Sequence, residues 1–209
     1  MSRLEELFAR IRKQEAEPAG PISFVIAGLG NPGAEYERTR HNAGFWVLDA
    51  LAKEVGVSVS RLRFRALVGE ATVGGVRVLL LKPQTYMNHS GEAVAEALRF
   101  YKLTPDRLLV ISDDVQLDEG VLRIRRRGSS GGQKGLGSII EQLGTEDFAR
   151  LRVGVGKKPH PEYDMSAFVL GTPTPQQRRK IDEAIPRAVE AVKTLLAEGI
   201  DRAMCLFSK

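Results

Sequence analysis

The chain has 209 residues, 43% of them hydrophobic and 27% charged. That balance fits one globular domain with at most a short appendage and excludes a disordered chain. A single cysteine, Cys205, excludes an intrachain disulfide and a cysteine zinc site, and three histidines (His41, His89, His160) argue against a histidine metal cluster. No run reaches the ~18 apolar residues of a membrane-spanning helix. The net charge of +5, from 31 Lys+Arg against 26 Asp+Glu, suits an anionic partner. The 21 arginines against 10 lysines read equally as phosphate-binding chemistry or as high-GC coding bias.

Residues 1–21 read as an N-terminal extension. Leu4, Leu7, Phe8 and Ile11 fall at helical spacing, so a short amphipathic helix is expected before the break at Pro18 to Pro21. Acidic residues there argue against a transit peptide, and the absence of an apolar core argues against a secretory signal. Residues 22–209 form the domain. Residues 22–28 are a continuous apolar run ending at glycine, a strand buried on both faces. Phe45, Leu48, Ala52 and Val55 carry a helical stripe. Residues 63–73 and 76–81 read as strands joined at Gly74-Gly75, a hairpin signal.

A helix follows over 91–101, a buried strand over 108–112 and an alternating strand over 121–127. A short helix is expected at 135–143 and a strand at 151–155. Thr174-Pro175 caps a long final helix, with Pro186 inside it, where a kink is expected. This order predicts an α/β fold: a single domain with a mixed, twisted β-sheet flanked by helices on both faces.

In open α/β sheets, ligands bind beyond the carboxyl ends of the strands. The first strand runs into Gly30-Asn31-Pro32-Gly33, the strand at 76–81 into Lys82 to Asn88, and the strand at 108–112 into Asp113-Asp114. If these strands are parallel, Asn31, Asn88 and Asp113 meet on one rim. His41 sits where the first helix begins. The positive end of the helix dipole disfavours imidazolium there and favours a neutral ring that can accept a proton. A carboxylate on the other ring nitrogen would fix the tautomer, and Asp113 is the candidate. Spacing alone leaves two readings open, a general base or a simple helix cap.

Two pattern matches carry less. Gly28 to Gly33 fits the dinucleotide fingerprint, but Pro32-Gly33 makes a turn and the helix starts too late to meet a pyrophosphate. Gly128-Ser129-Ser130-Gly131-Gly132 fits a nucleophile elbow, but the strand before it is charged rather than buried. The same stretch makes a better anion site. Five cations lie between Arg123 and Lys134 with no acid among them, the glycines expose backbone N–H groups, and a helix start follows. Arg150 and Arg152 are expected to add to this patch. The alternative is a solvated charged strand edge that resists aggregation.

With these residues in hand, the chain from about residue 22 onward resembles the bacterial peptidyl-tRNA hydrolase family. The resemblance rests on Gly28 to Gly33, Tyr36, Thr39-Arg40-His41-Asn42-Ala43-Gly44, Lys82-Pro83, Tyr86-Met87-Asn88, Ser90-Gly91, Asp113-Asp114 and Phe168-Val169-Leu170-Gly171, in that order. It implies hydrolysis of the ester that joins a peptide to the tRNA 3′ end, with tRNA as partner and no metal or organic cofactor. The family's usual state implies a cytoplasmic monomer.

By that resemblance His41 is the base that activates water and Asp113 supports it. Asn31 contacts the peptide side, and Asn88 positions substrate or stabilises the oxyanion. Tyr36 and Tyr86 line the pocket for the tRNA end, while Arg125 and Arg152 match positions that hold tRNA phosphates. The chain departs from the family where Gly131-Gly132 is usually followed by His-Asn-Gly: here Gln133-Lys134-Gly135 stands instead. Lys134 donates but cannot accept, so it suits a phosphate rather than an acceptor role toward water or peptide. Gln116 also replaces a frequent acidic residue near Asp113. These departures keep a second reading in play, an RNA-binding relative on the same fold with little catalysis.

Overall fold

A computed structural model describes residues 20–208. The expected leader helix lies outside them. The strands are β1 (Phe24–Gly28), β2 (Arg61–Arg63), β3 (Ala66–Val73), β4 (Val76–Pro83), β5 (Leu108–Asp114), β6 (Leu122–Arg125) and β7 (Ala149–Gly154). The α-helices are α1 (Ala43–Glu54), α2 (Ser90–Tyr101), α3 (Lys134–Leu143), α4 (Met165–Val169), α5 (Pro175–Glu198) and α6 (Ile200–Phe207). Short 3-10 turns at Arg40–Asn42 and Met87–His89 precede α1 and α2.

The strands form one seven-stranded sheet in the order β2-β3-β4-β1-β5-β7-β6. Its centre, β4-β1-β5-β7, is parallel, and β2, β3 and β6 add antiparallel edges. The central strands alternate strictly between two cores, as a period of two requires. Phe24, Ile26, Val78, Leu80, Leu109 and Ile111 face one core, with α1 and α5. Val25, Ala27, Leu79, Leu81, Leu108 and Val110 face the other, with α2 and α3. Helices therefore cover both faces, which is why these strands read as unbroken apolar runs.

Two turns show how local chemistry sets the sheet edge. Gly74 and Gly75 take φ of 56° and 80°, the left-handed pair that a two-residue hairpin needs, and register Val73 opposite Val76. The sequence reading ran a single strand over 63–73. Instead the chain turns at Phe64 and Arg65, also at positive φ (55° and 53°), and splits it into β2 and β3. No glycine or asparagine marks that turn. The Phe64 ring holds it, buried against Tyr101 and half-exposed Phe100 at centroid distances of 5.9 and 5.3 Å.

The final helical region is also divided. Thr174 and Gln177 form a reciprocal capping box at the start of α5, and the helix continues through Pro186. Gly199 ends it, and α6 returns the chain to the sheet, where Ser208 Oγ accepts a hydrogen bond from Ile124 N on the edge strand β6 at 2.8 Å.

Candidate active site

Because β4, β1 and β5 are parallel, their carboxyl ends share one rim. The chain leaves β1 toward β4 on one side and returns to β5 on the other, the kind of switch point where open sheets bind ligands. A cleft of about 540 Å³ lies there. Asn31, Asn88 and Asp113 all line it, together with His41, Tyr36, Tyr86, Lys134 and Arg152.

His41 reaches the rim because α1 lies very close to the sheet. A Cβ built on Gly44 would fall 2.3 Å from Ile111 O and 2.4 Å from Leu29 N, so only glycine permits the approach. The 3-10 turn just before α1 then presents His41 to the end of β5. The ring is buried, and its Nδ1 lies 2.9 Å from Asp113 Oδ1, itself 2% exposed. A carboxylate only accepts, so Nδ1 donates, and in the neutral ring Nε2 carries the lone pair. Nε2 has no hydrogen-bond partner among the described residues. His41 does not cap α1, since its side chain is spent on Asp113.

Asn31 is held from two directions. Its Oδ1 accepts from Met87 N at 2.8 Å, which fixes the amide and leaves Nδ2 as a donor on the cleft side. Its backbone N–H donates to Asn42 Oδ1 at 2.8 Å, and its carbonyl accepts from Asn42 Nδ2 at 3.0 Å. Asn42 thus ties the loop after β1 to the His41 turn. Asn88, on the 3-10 turn after β4, is exposed at the rim. Tyr36 and Tyr86 meet edge to face at 6.4 Å, with Tyr86 60% exposed.

The far wall is the short helix α4 and Leu170, a segment whose helix the sequence reading did not identify. Met165, Val169 and Leu170 give this wall an apolar surface. Asp164 caps it by accepting from Ala167 N at 2.7 Å. Arg40 anchors it to the His41 turn: its Nη1 donates to Phe168 O at 3.3 Å and Gly171 O at 3.0 Å, and its guanidinium lies 4.4 Å over the Phe168 ring. Burial pushes the Arg40 guanidinium below the usual arginine range, with Glu119 opposing that shift.

The basic patch is less uniform than expected. Arg125 lies exposed on β6, outside the cleft, with no ion-pair partner among the described residues. Arg126 pairs with Asp201 at 2.7 Å. Arg152 lines the cleft, but its Nε sits 3.0 Å from the buried Asp114 carboxylate. Arg150 does not belong to the patch. It is 1% exposed and donates to the carbonyls of Gly128, Ser129, Glu146 and Phe148. Burial pushes its guanidinium down in turn. It holds the glycine loop together from inside. Lys134, at the start of α3, is exposed at the cleft, also with no ion-pair partner among the described residues.

Gln133 is the residue that sequence reasoning undervalued. It caps α3 through Oε1, which accepts from Leu136 N at 2.7 Å, and its Nε2 donates to Asp113 Oδ1 at 3.0 Å. The signal was present as a departure from the family pattern. Only the fold shows that the departure touches Asp113.

A family model described as peptidyl-tRNA hydrolase matches residues 25–209. A protein of that name from Caldanaerobacter subterraneus subsp. tengcongensis is 51% identical over 185 residues, covering 88% of this chain and 99% of the relative. Another of that name from Desulforamulus reducens is 50% identical over 185 residues, covering 88% of each chain. The crystal structure of peptidyl-tRNA hydrolase from Acinetobacter baumannii superposes with a TM-score of 0.83 at 36% identity, over 90% of this chain and 95% of that one. By extent and identity together, this chain belongs to the peptidyl-tRNA hydrolase family.

Proposed function

We propose that the chain hydrolyses the ester between a peptide and the 3′-terminal ribose of tRNA, and that His41 is its general base. The observation that carries this reading is the 2.9 Å contact from His41 Nδ1 to buried Asp113, with Nε2 left open beside the cleft. In this mechanism Nε2 takes a proton from water as the oxygen attacks the ester carbonyl. Asp113 holds the tautomer and stabilises the imidazolium that forms. Collapse of the tetrahedral intermediate breaks the carbon–oxygen bond to ribose, and the imidazolium returns its proton to the departing ribose oxygen. A positioned base contributes ~10²–10⁴-fold, and an oxyanion donor about 3 kcal/mol.

Asn88, exposed on the rim, serves as oxyanion or substrate donor. Asn31, whose Nδ2 is a free donor, contacts the peptide and favours N-blocked substrates. The exposed Tyr86 face and Tyr36 receive the terminal bases of the tRNA by stacking. Lys134, Arg152 and Arg125 run from the cleft to the sheet edge and take the phosphates, Arg152 after sharing its charge with Asp114. A tRNA substrate suits a reaction in the cytoplasm, and the family resemblance suits a monomer. No helix among the described residues is long and apolar enough to cross a membrane.

The test is release of free tRNA from N-acetylaminoacyl-tRNA by the purified protein, with the unblocked aminoacyl form as control. Rapid release from the blocked form alone is expected. Tight tRNA binding with no release would instead favour the RNA-binding reading.

A further inference from the structure

Gln133 occupies a place where its two amide ends cannot be exchanged. Oε1 accepts from Leu136 N, the third residue of α3, which needs a capping acceptor. The donor end must then point the other way. There it reaches Asp113 Oδ1 at 3.0 Å, the same oxygen that accepts from His41 Nδ1 at 2.9 Å. Met87 Sδ lies 3.3 Å from the same nitrogen and closes the space beside it. One carboxylate oxygen has room for about two strong donors, and here both are supplied by protein. Gln133 and Asp113 are each buried at the edge of the cleft.

We propose that Gln133 is a positioning residue for the reaction: clamped by the start of α3, its amide N–H holds the Asp113 carboxylate in the orientation that His41 uses. Remove the donor and the carboxylate can turn about its last bond, and the imidazole loses control of its tautomer. The amide also has no charge to gain or lose. Where the family usually carries histidine, this chain keeps a donor that is present at every pH. The other charged or titratable groups lining the cleft are Asp114, paired with Arg152 at 3.0 Å, and Tyr36, Tyr86, Lys134 and Asp164. None of them bonds to Asp113 Oδ1.

This inference rests on the hydrolase reading, and its experiment separates the two. Gln133→Glu keeps an acceptor for the α3 cap, removes the donor and sets a second carboxylate beside Asp113. The expected result is a loss of about tenfold in kcat, part of what a positioned base supplies, with KM changed less than threefold. The added negative charge favours imidazolium, so the low-pH limb of the rate profile moves up by about one unit. Gln133→Asn keeps a good cap but is one methylene short of Asp113. It is expected to show a similar loss in kcat with the pH limb unmoved.

A purely capping role predicts that Gln133→Asn, which keeps the cap and adds no charge, matches wild type in kcat, and that result would overturn the proposal. Nitrogen-15 NMR shifts of the His41 ring read its tautomer without substrate. In Gln133→Asn the neutral ring should no longer keep a single tautomer, and an unchanged tautomer counts against the proposal even if the wild type proves inactive. A tautomer mixed by Gln133→Asn, together with an inactive wild type, would sink the hydrolase reading and leave the positioning role standing.

Discussion

The cleft around His41 and the basic edge around β6 both concentrate polar and charged side chains, and they use them in opposite ways. In the cleft, Asp113, His41, Asn31, Asn42 and Gln133 spend nearly all their hydrogen-bonding capacity on one another or on backbone. Among what they leave open are His41 Nε2, the Asn31 Nδ2 donor and the second Asp113 oxygen. At the edge, Arg125 is held by little beyond a 3.4 Å contact to its own strand's Ile124 O. The first pattern suits a reaction, which needs fixed geometry. The second suits a long polyanion, which needs charge more than register.

Arg150 breaks the pattern within the edge, because it is built like a cleft residue. Its four carbonyl contacts make it a structural post under the glycine loop. The contrast between Arg150 and Arg125, opposite each other in the β6–β7 register, is therefore sharper than sequence type suggests.

The largest effect expected is in the cleft. Asp113→Asn keeps the shape but offers His41 the wrong partner, so kcat in single-turnover hydrolysis should fall by ~10²–10⁴-fold. A loss under threefold would show that the pair is ornamental. Next comes Arg150→Met, which strands buried carbonyls and should cost about 3 kcal/mol or more in urea unfolding. Activity per folded molecule should stay within about twofold of wild type, the level at which a surface effect would be indistinguishable. A stability change under ~0.5 kcal/mol would return Arg150 to the ranks of surface cations.

Arg125→Ala should do the reverse. Stability should hold within ~0.5 kcal/mol, while tRNA affinity weakens and the slope of log affinity against log salt flattens by about one. An unchanged slope removes Arg125 from the interface. The smallest effect belongs to Lys134→Asn, which restores the residue the family usually has. Turnover should be kept or rise slightly, and a large loss would show that the lysine has a duty of its own.

How much of this could be read from the chain depends on the kind of signal. β1, β4 and β5 were readable because strands buried on both faces must be apolar throughout, and their shared direction then put Asn31, Asn88 and Asp113 on one rim. The pairing of His41 with Asp113 followed from that rim and from the start of α1. The turn at Phe64-Arg65 was not readable, since its left-handed backbone is stabilised by ring packing rather than by a turn residue. Helix α4 is five residues long, too short for any apolar period to emerge. The burial of Arg150 depends on which carbonyls converge on it, and convergence from separate segments leaves no mark on local sequence.

The central claim is that the His41 Nε2 lone pair, braced through Asp113, removes the proton from water. Its most direct test is His41→Ala, assayed for peptide release from N-acetylaminoacyl-tRNA in single turnover alongside equilibrium binding of the same tRNA. The account predicts a fall of ~10²–10⁴-fold in release with affinity unchanged within about threefold, a difference below 1 kcal/mol. Release at the wild-type rate would contradict it.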